Sequence, residues 1–211
     1  LYRGGLSFYT IGNTFLLGLL ASPQVVGTYA AAEKIYRALL SLLWPLHTVL
    51  FPKISNLAGF SRASAAQLAK KSAMVLGLMG VAIGLLMAIF APLLTRLLMG
   101  PGYDEAVPIL RILAFLPALI GLSTVLGTQW MLSLGLDRTF NWITLGTSLI
   151  NLALACLFVP SLAQFGMAWS LVIAETWALL AICLALNHKR LNPLTVRPSA
   201  PSSLESAPSP N

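Results

Sequence analysis

Long apolar runs separated by short polar breaks dominate the sequence, and the runs are long enough to cross a membrane. Between Lys71 and Arg96 lie 24 residues without a charged side chain, and between Arg111 and Asp137 lie 25. About 20 helical residues, rising about 1.5 Å each, cross roughly 30 Å of hydrocarbon. The pattern therefore predicts an all-α fold, a polytopic transmembrane helix bundle.

Six spans are predicted, with ends accurate to about three residues. The turn-like stretch Pro160–Gly166 separates the last two, and a tail rich in Pro and Ser, residues 188–211, is predicted to be disordered and cytoplasmic. An alternative has five spans, because Glu33, Lys34 and Arg37 interrupt the second run. The six spans, which together form the predicted bundle of residues 1–187, are 5–22, 28–51, 72–98, 106–132, 139–159 and 166–187.

Basic residues in the short loops predict the orientation, because such loops stay in the cytoplasm. In the six-span arrangement only Arg96 and Arg111 flank the outer side, so both ends of this chain are expected to be cytoplasmic. The bases on the inner side are Arg3, Lys53, Arg62, Lys70, Lys71, Arg138, Lys189, Arg190 and Arg197.

Composition and charge exclude several other classes of protein. Hydrophobic residues make up 57% of the chain and charged residues 9%, too apolar for a water-soluble domain of this size. The net charge of +7 is dispersed along the chain, which argues against nucleic-acid binding. Cys156 and Cys183 lie in apolar runs without ligands at metal-binding spacing. No phosphate loop or nucleophile-base constellation is present, so we expect no enzyme activity, catalytic site, metal or cofactor.

The charged residues of the second span lie on one face of the predicted helix. At about 100° per residue, Glu33, Lys34 and Arg37 share that face with Ser41, Trp44 and Thr48. We interpret it as lining a polar cavity; the alternative is that the cations reach the outer headgroups while Glu33 pairs with Arg37 on its own helix. The opposite, apolar face is expected to meet lipid and carries Ile35, Leu39, Leu42, Leu46, Val49 and Leu50.

Polar stripes on other spans predict either hydrogen bonds between helices or contacts with a substrate. Gly77, Gly80 and Gly84 predict close helix packing, and His47 is expected to form a hydrogen bond at a kink beside Pro45. The stripes comprise Thr10, Asn13 and Thr14; Ser123, Thr124, Thr128 and Gln129; and Asn141, Thr144, Ser148 and Asn151.

Three stretches resemble the C-terminal half of the Wzx-type polysaccharide (O-antigen) flippases, in the multidrug/oligosaccharidyl-lipid/polysaccharide exporter superfamily. The middle stretch resembles the family most, through the outer turn Gly100-Pro101-Gly102-Tyr103. The stretches are NTFLLGLLASPQVVGTYAAAEKIYRALLSLLWPLHTVLFPKIS (13–55), FAPLLTRLLMGPGYDEAVPILRILAFLP (90–117) and LGLDRTFNWITLGTSLINLALACLFVPSLAQFGMAWSLVIAE (134–175).

The resemblance implies an inner-membrane protein that moves an undecaprenyl-diphosphate-linked oligosaccharide from the cytoplasmic to the outer leaflet, for the synthesis of cell-surface polysaccharide. Its expected partners are the lipid-linked oligosaccharide, membrane lipids and the N-terminal half of the transporter, because this chain begins at Leu1 rather than Met. Lys34 and Arg37 would attract the anionic cargo. The other expected cavity residues are Glu33, Ser41, Asn13, Asn141 and Asn151.

Two other functions remain open: a drug or cation antiporter of the same superfamily, and a non-transporting membrane scaffold for polysaccharide assembly. Glu175 is predicted to pair with the basic face of the second span, since Glu175 and Arg37 both lie about 13 Å from the outer ends of their spans. The alternatives are a protonated Glu175, or a contact between Glu175 and a hydroxyl such as that of Ser170.

Overall fold

The computed structural model describes Thr14 and residues 16–194, and the described part of the chain contains helices and turns but no strand. Residues 16–20 are helical and belong to the first predicted span. The elements that follow are α1 (Pro23–Leu40), a 3₁₀ turn (Ser41–Leu43), α2 (Trp44–Phe60), α3 (Arg62–Met99), α4 (Ala106–Leu113), α5 (Leu116–Ser123), a π-helical segment (Thr124–Met131) and α6 (Asp137–His188).

Four continuous helical segments in the described residues are long and apolar enough to cross a membrane. The last contains a kink at Ala163, and each half of about 25 residues is long enough for a crossing of its own. The predicted all-α transmembrane bundle is confirmed, although most of span 5–22 lies outside the described residues. The four segments are Pro23–Phe60, Arg62–Met99, Ala106–Met131 and Asp137–His188.

The charged residues of the second span do not end its helix. The helix continues through the 3₁₀ turn, and Pro23–Phe60 is 38 residues long. Glu33, Lys34 and Arg37 therefore lie inside a full-length helical segment. The helix is therefore continuous through the charged residues, and the number of membrane crossings, six or five, stays a prediction.

Local sequence explains where the helices begin and end. Ser22 precedes Pro23, whose fixed φ angle suits the first position of a helix. Ser61 has an extended backbone between α2 and α3, and its hydroxyl accepts a hydrogen bond from the backbone N–H of Ser64. At the other end of α3, Gly100 has a φ of 85°, which a residue without Cβ adopts at little cost.

Helix α3 packs against α5 with almost no space between the two backbones. A Cβ atom at Gly80 would overlap the carbonyl oxygen of Pro117 and would lie 2.7 Å from Cα of Ala118. A Cβ at Gly84 would overlap the carbonyl oxygen of Ala114, and one at Gly77 would press on Leu122. The predicted packing role of the three glycines is confirmed, because a side chain at any of them would meet the neighbouring helix, and at Gly80 and Gly84 it would meet the backbone.

The buried apolar side chains form two large clusters and one small one. The largest joins α1 to α4, α3 and both halves of α6, and it includes the fully buried Tyr29, Ile109 and Met167. The second lies between α2, the π-helical segment and the end of α6, around Trp130.

The chain after α6 is held to the second cluster. The indole N–H of Trp130 donates to the carbonyl oxygen of Leu191 over 2.8 Å, and Pro193 is buried. Residues 195–211, the larger part of the predicted disordered tail, lie outside the described residues.

Candidate functional site

A buried carboxylate with two partners forms the centre of the candidate site. Glu33 is held by Arg37, whose Nη2 donates to Oε1 over 2.6 Å, and by Thr14, whose hydroxyl donates to Oε2 over 2.6 Å. Each carboxylate oxygen therefore has its own donor. A charge-assisted hydrogen bond from Arg37 and a hydroxyl hydrogen bond from Thr14 together hold the side chain of Glu33 in place inside the bundle.

The position of Glu33 follows from the face that α1 buries. Ala31 and Ala32 let this face approach its neighbours closely, and Tyr29 and Tyr36, one turn before and about one turn after Glu33, are buried beside it. Arg37 lies four residues after Glu33, the spacing at which helical side chains meet. The alternative that Glu33 pairs with Arg37 on its own helix is therefore what the structure contains.

Exposure differs sharply within this ion pair. The side chain of Glu33 is 8% exposed, whereas that of Arg37 is 39% exposed, and the neighbouring Lys34 is exposed. The carboxylate is thus inside the bundle while both cations reach its surface. A ligand that approaches this surface meets positive charge first.

The polar face predicted for the second span points out of the bundle. Ser41, Thr48 and Trp44 are exposed, and Trp44 keeps 62% of its surface accessible. The two hydroxyls donate to carbonyl oxygens one turn earlier, Ala38 at 2.6 Å and Pro45 at 2.8 Å. Each hydroxyl thus has an acceptor within its own helical segment, and both residues are exposed on the surface of the bundle.

The prediction that the opposite face meets lipid is wrong for most of its residues. Ile35 is buried, Leu39 packs against the largest apolar cluster, and Leu46 and Leu50 pack against the smallest. Of this face, only Leu42 and Val49 are exposed, so most of it packs against other helices.

The remaining predicted site residues occupy separate positions. Asn151 is buried in the first half of α6, and Glu175 is half-buried in the second half. Asn141 is exposed and lines a shallow depression with Arg138 and Trp142. Asn13 lies outside the described residues.

Glu175 is linked electrostatically to the charged residues of α1 by way of Tyr36. Tyr36 lies within electrostatic range of Glu175 as well as of Glu33 and Arg37. A direct contact between Glu175 and Arg37 stays a prediction.

Sequence reasoning missed Thr14 as the partner of Glu33. The sequence did contain a sign of this contact, because Thr14 belongs to the polar stripe predicted on the first span. The stripe did not identify which residue would find a charged partner, since the register between two helices is fixed by packing rather than by either sequence alone.

Comparisons with known proteins point to one group. A family model described as "Polysaccharide biosynthesis protein" matches residues 2–58. A protein of Escherichia coli (strain K12) described as "Putative O-antigen transporter" is 35% identical over 191 residues, which are 90% of this chain and 45% of that protein. A Shigella dysenteriae protein with the same description is 30% identical over 182 residues, 86% of this chain and 45% of the relative. The chain thus spans about half the length of these relatives. No solved structure matches the chain significantly.

Proposed function

We propose that this chain carries one wall of a flippase, because it is similar to two proteins described as "Putative O-antigen transporter". The cargo is an undecaprenyl-diphosphate-linked oligosaccharide, which moves from the cytoplasmic to the outer leaflet of the inner membrane. The observation that carries this proposal is the pair of accessible cations, Lys34 and Arg37, on an outward-facing polar surface of α1.

The chemistry of Arg37 suits a diphosphate. A guanidinium has five N–H donors in a planar fork, and the salt bridge to Glu33 uses Nη2. The side chain of Arg37 is partly exposed, and phosphate oxygens accept paired hydrogen bonds from arginine. Lys34 adds a second positive charge beside it.

The exposed polar face of α1 and α2 fits a wall of a shared cavity. Transporters built from two helical halves bind cargo between the halves, near the middle of the bilayer. This chain spans about half the length of its relatives, and the remaining half would supply the opposite wall. We place both ends of this chain in the cytoplasm, because most loop bases then lie there.

Glu175 would close the same cavity by pairing with the basic face of α1. Tyr36 lies in electrostatic range of both Glu175 and Arg37, and pairing would offset the cost of a carboxylate in the membrane. In the complete transporter, Glu175→Arg and Arg37→Glu should each abolish export, and the double swap should restore part of it. Two well-expressed single variants without any recovery in the double swap would contradict this pairing.

The test of the main proposal neutralises the two cations. The complete protein in proteoliposomes, with Lys34→Gln and Arg37→Gln together, should transport lipid-linked oligosaccharide at least tenfold more slowly, because hydrogen bonds to charged groups contribute about 1.5–3 kcal/mol each. The control is Lys70→Gln with Lys71→Gln, which removes the same charge from two exposed lysines of α3. Equal transport by both variants would exclude the proposed role of α1, and no transport by the unaltered protein would favour a scaffold.

A further inference from the structure

We propose that Thr14 and Glu33 are positioning residues that hold Arg37 in the orientation in which it receives the anionic headgroup. This inference rests on the proposed function, since it concerns the same cationic surface. It adds two residues that do not touch the cargo: Glu33 acts through Arg37, and Thr14 acts through Glu33.

The hydrogen bonds form a chain that fixes the carboxylate from two sides. The Thr14 hydroxyl occupies Oε2 and the Arg37 Nη2 occupies Oε1, each at 2.6 Å. Thr14 precedes Glu33 by 19 residues and belongs to the helical stretch before α1. The carboxylate therefore cannot rotate away from Arg37 without losing a bond that joins two parts of the bundle.

The exposed fractions of Glu33 and Arg37 assign different roles to the two side chains. Glu33 is almost completely buried, so a headgroup on the surface of α1 cannot contact it, whereas Arg37 is more than one-third exposed. An arginine side chain is long and flexible, and binding must restrict it. A salt bridge that already restricts Arg37 reduces that loss and strengthens binding of the headgroup.

Thr14 distinguishes positioning from simple charge neutralisation. If Glu33 served only to balance the charge of Arg37, a neutral hydroxyl on the preceding helix would add nothing to cargo binding. Because the hydroxyl of Thr14 carries no charge, its effect on cargo affinity must come from the orientation of Glu33. Thr14 is thus the residue at which the inference can be tested.

A matched control lies one turn away on the same face. The hydroxyl of Tyr29 is buried and has no hydrogen-bond partner among the described residues. Tyr29→Phe therefore removes a buried hydroxyl near Glu33 without removing a hydrogen bond to any described residue. It should leave the affinity for cargo unchanged.

The experiment measures the concentration dependence of transport by the complete protein in proteoliposomes. The probe is a short-chain polyprenyl diphosphate that carries a fluorescent disaccharide. Thr14→Val should raise KM about three- to tenfold, as expected for loss of one hydrogen bond, with kcat within twofold. Thr14→Ser should restore the normal KM. In an Arg37→Gln background Thr14→Val should have no further effect, because the two changes break the same chain.

Several results would overturn the inference. They are an unchanged KM in well-folded Thr14→Val, failure of Thr14→Ser to restore KM, or an equal further increase in the Arg37→Gln background. If Thr14→Val does not fold, Thr14→Ala takes its place, with thermal unfolding measured alongside. Normal transport after neutralisation of Lys34 and Arg37 would instead refute the proposed function. Slow transport by that variant, with no effect at Thr14, would refute only the positioning role.

Discussion

Gln129 and His47 join two irregular parts of the bundle, since the side-chain amide of Gln129 donates to Nδ1 of His47 over 3.1 Å. Gln129 is fully buried in the π-helical segment, and His47 lies at the start of α2, just after the 3₁₀ turn. Trp44 contacts the imidazole edge-on, with ring centroids 5.3 Å apart. The hydrogen bond therefore connects two places where the backbone departs from a regular α-helix.

Loss of His47 should destabilise the bundle through Gln129. His47→Phe leaves the buried amide nitrogen of Gln129 without its acceptor, which costs about 1–3 kcal/mol. Gln129→Met removes both buried polar atoms, including an Oε1 that lacks a hydrogen-bond partner among the described residues, and should cost much less. Thermal unfolding of the two single variants and the double variant measures this. The double variant should be more stable than His47→Phe alone, and additive losses would contradict the explanation.

Gly80 should not tolerate even one extra carbon. Gly80→Ala forces α3 and α5 apart, because the new Cβ would overlap the backbone at Pro117, and we expect destabilisation of about 2 kcal/mol or more. Gly59→Ala is the control, since a Cβ at this position in α2 meets nothing within 4 Å. That variant should be neutral or slightly stabilised by the better helix propensity of Ala. Similar unfolding temperatures for both variants would argue against a tight crossing.

Glycine at position 163 should stabilise the kink in α6. Ala163 has a φ of 47° and a ψ of −125°, a backbone conformation that costs a residue with Cβ about 1–3 kcal/mol. Ala163→Gly should therefore raise the unfolding temperature. Ala153→Gly, at an exposed and regular helical position of α6, should lower it, because glycine weakens a helix by about 1 kcal/mol. A loss of stability in both variants would contradict strain at Ala163.

Labelling of single cysteines tests the orientation. Ser64→Cys and Ser161→Cys both create exposed thiols, in a background in which Cys156 and Cys183 are replaced by Ala. An impermeant thiol reagent added to intact cells should label position 161 and not position 64, because loop bases favour a cytoplasmic position for residue 64. The opposite labelling pattern would reverse the orientation proposed here.

Much of the fold could be predicted from the sequence because apolar runs of sufficient length have few alternatives in a membrane. The spans from residue 28 to residue 187 match the helical segments, and the 35% identity to a protein described as "Putative O-antigen transporter" confirms the resemblance seen in the sequence. The close approach at Gly80 was also predictable, since small residues on neighbouring turns have one main use in such bundles.

The candidate site could be predicted only in part. The helical period brings Glu33 and Arg37 together, and it also separates the two faces of α1. It does not reveal which face meets the bundle, so Ile35 was assigned to lipid although it is buried. Contacts such as those of Thr14 with Glu33 and of Gln129 with His47 depend on how helices are docked, and no periodicity within one helix contains that information.

The tight crossing at Gly80 also bears on biosynthesis. The ribosome delivers α3 to the membrane before α5 is complete, so the two helices meet only after both have been inserted. Helices already surrounded by lipid gain little from the hydrophobic effect and associate through close van der Waals contact. A bulky side chain at Gly80 would therefore yield a chain with all its spans inserted but with its bundle unassembled. Cells would recognise such a chain as damaged at the level of quality control, and its low abundance would reflect degradation by membrane proteases rather than failed insertion.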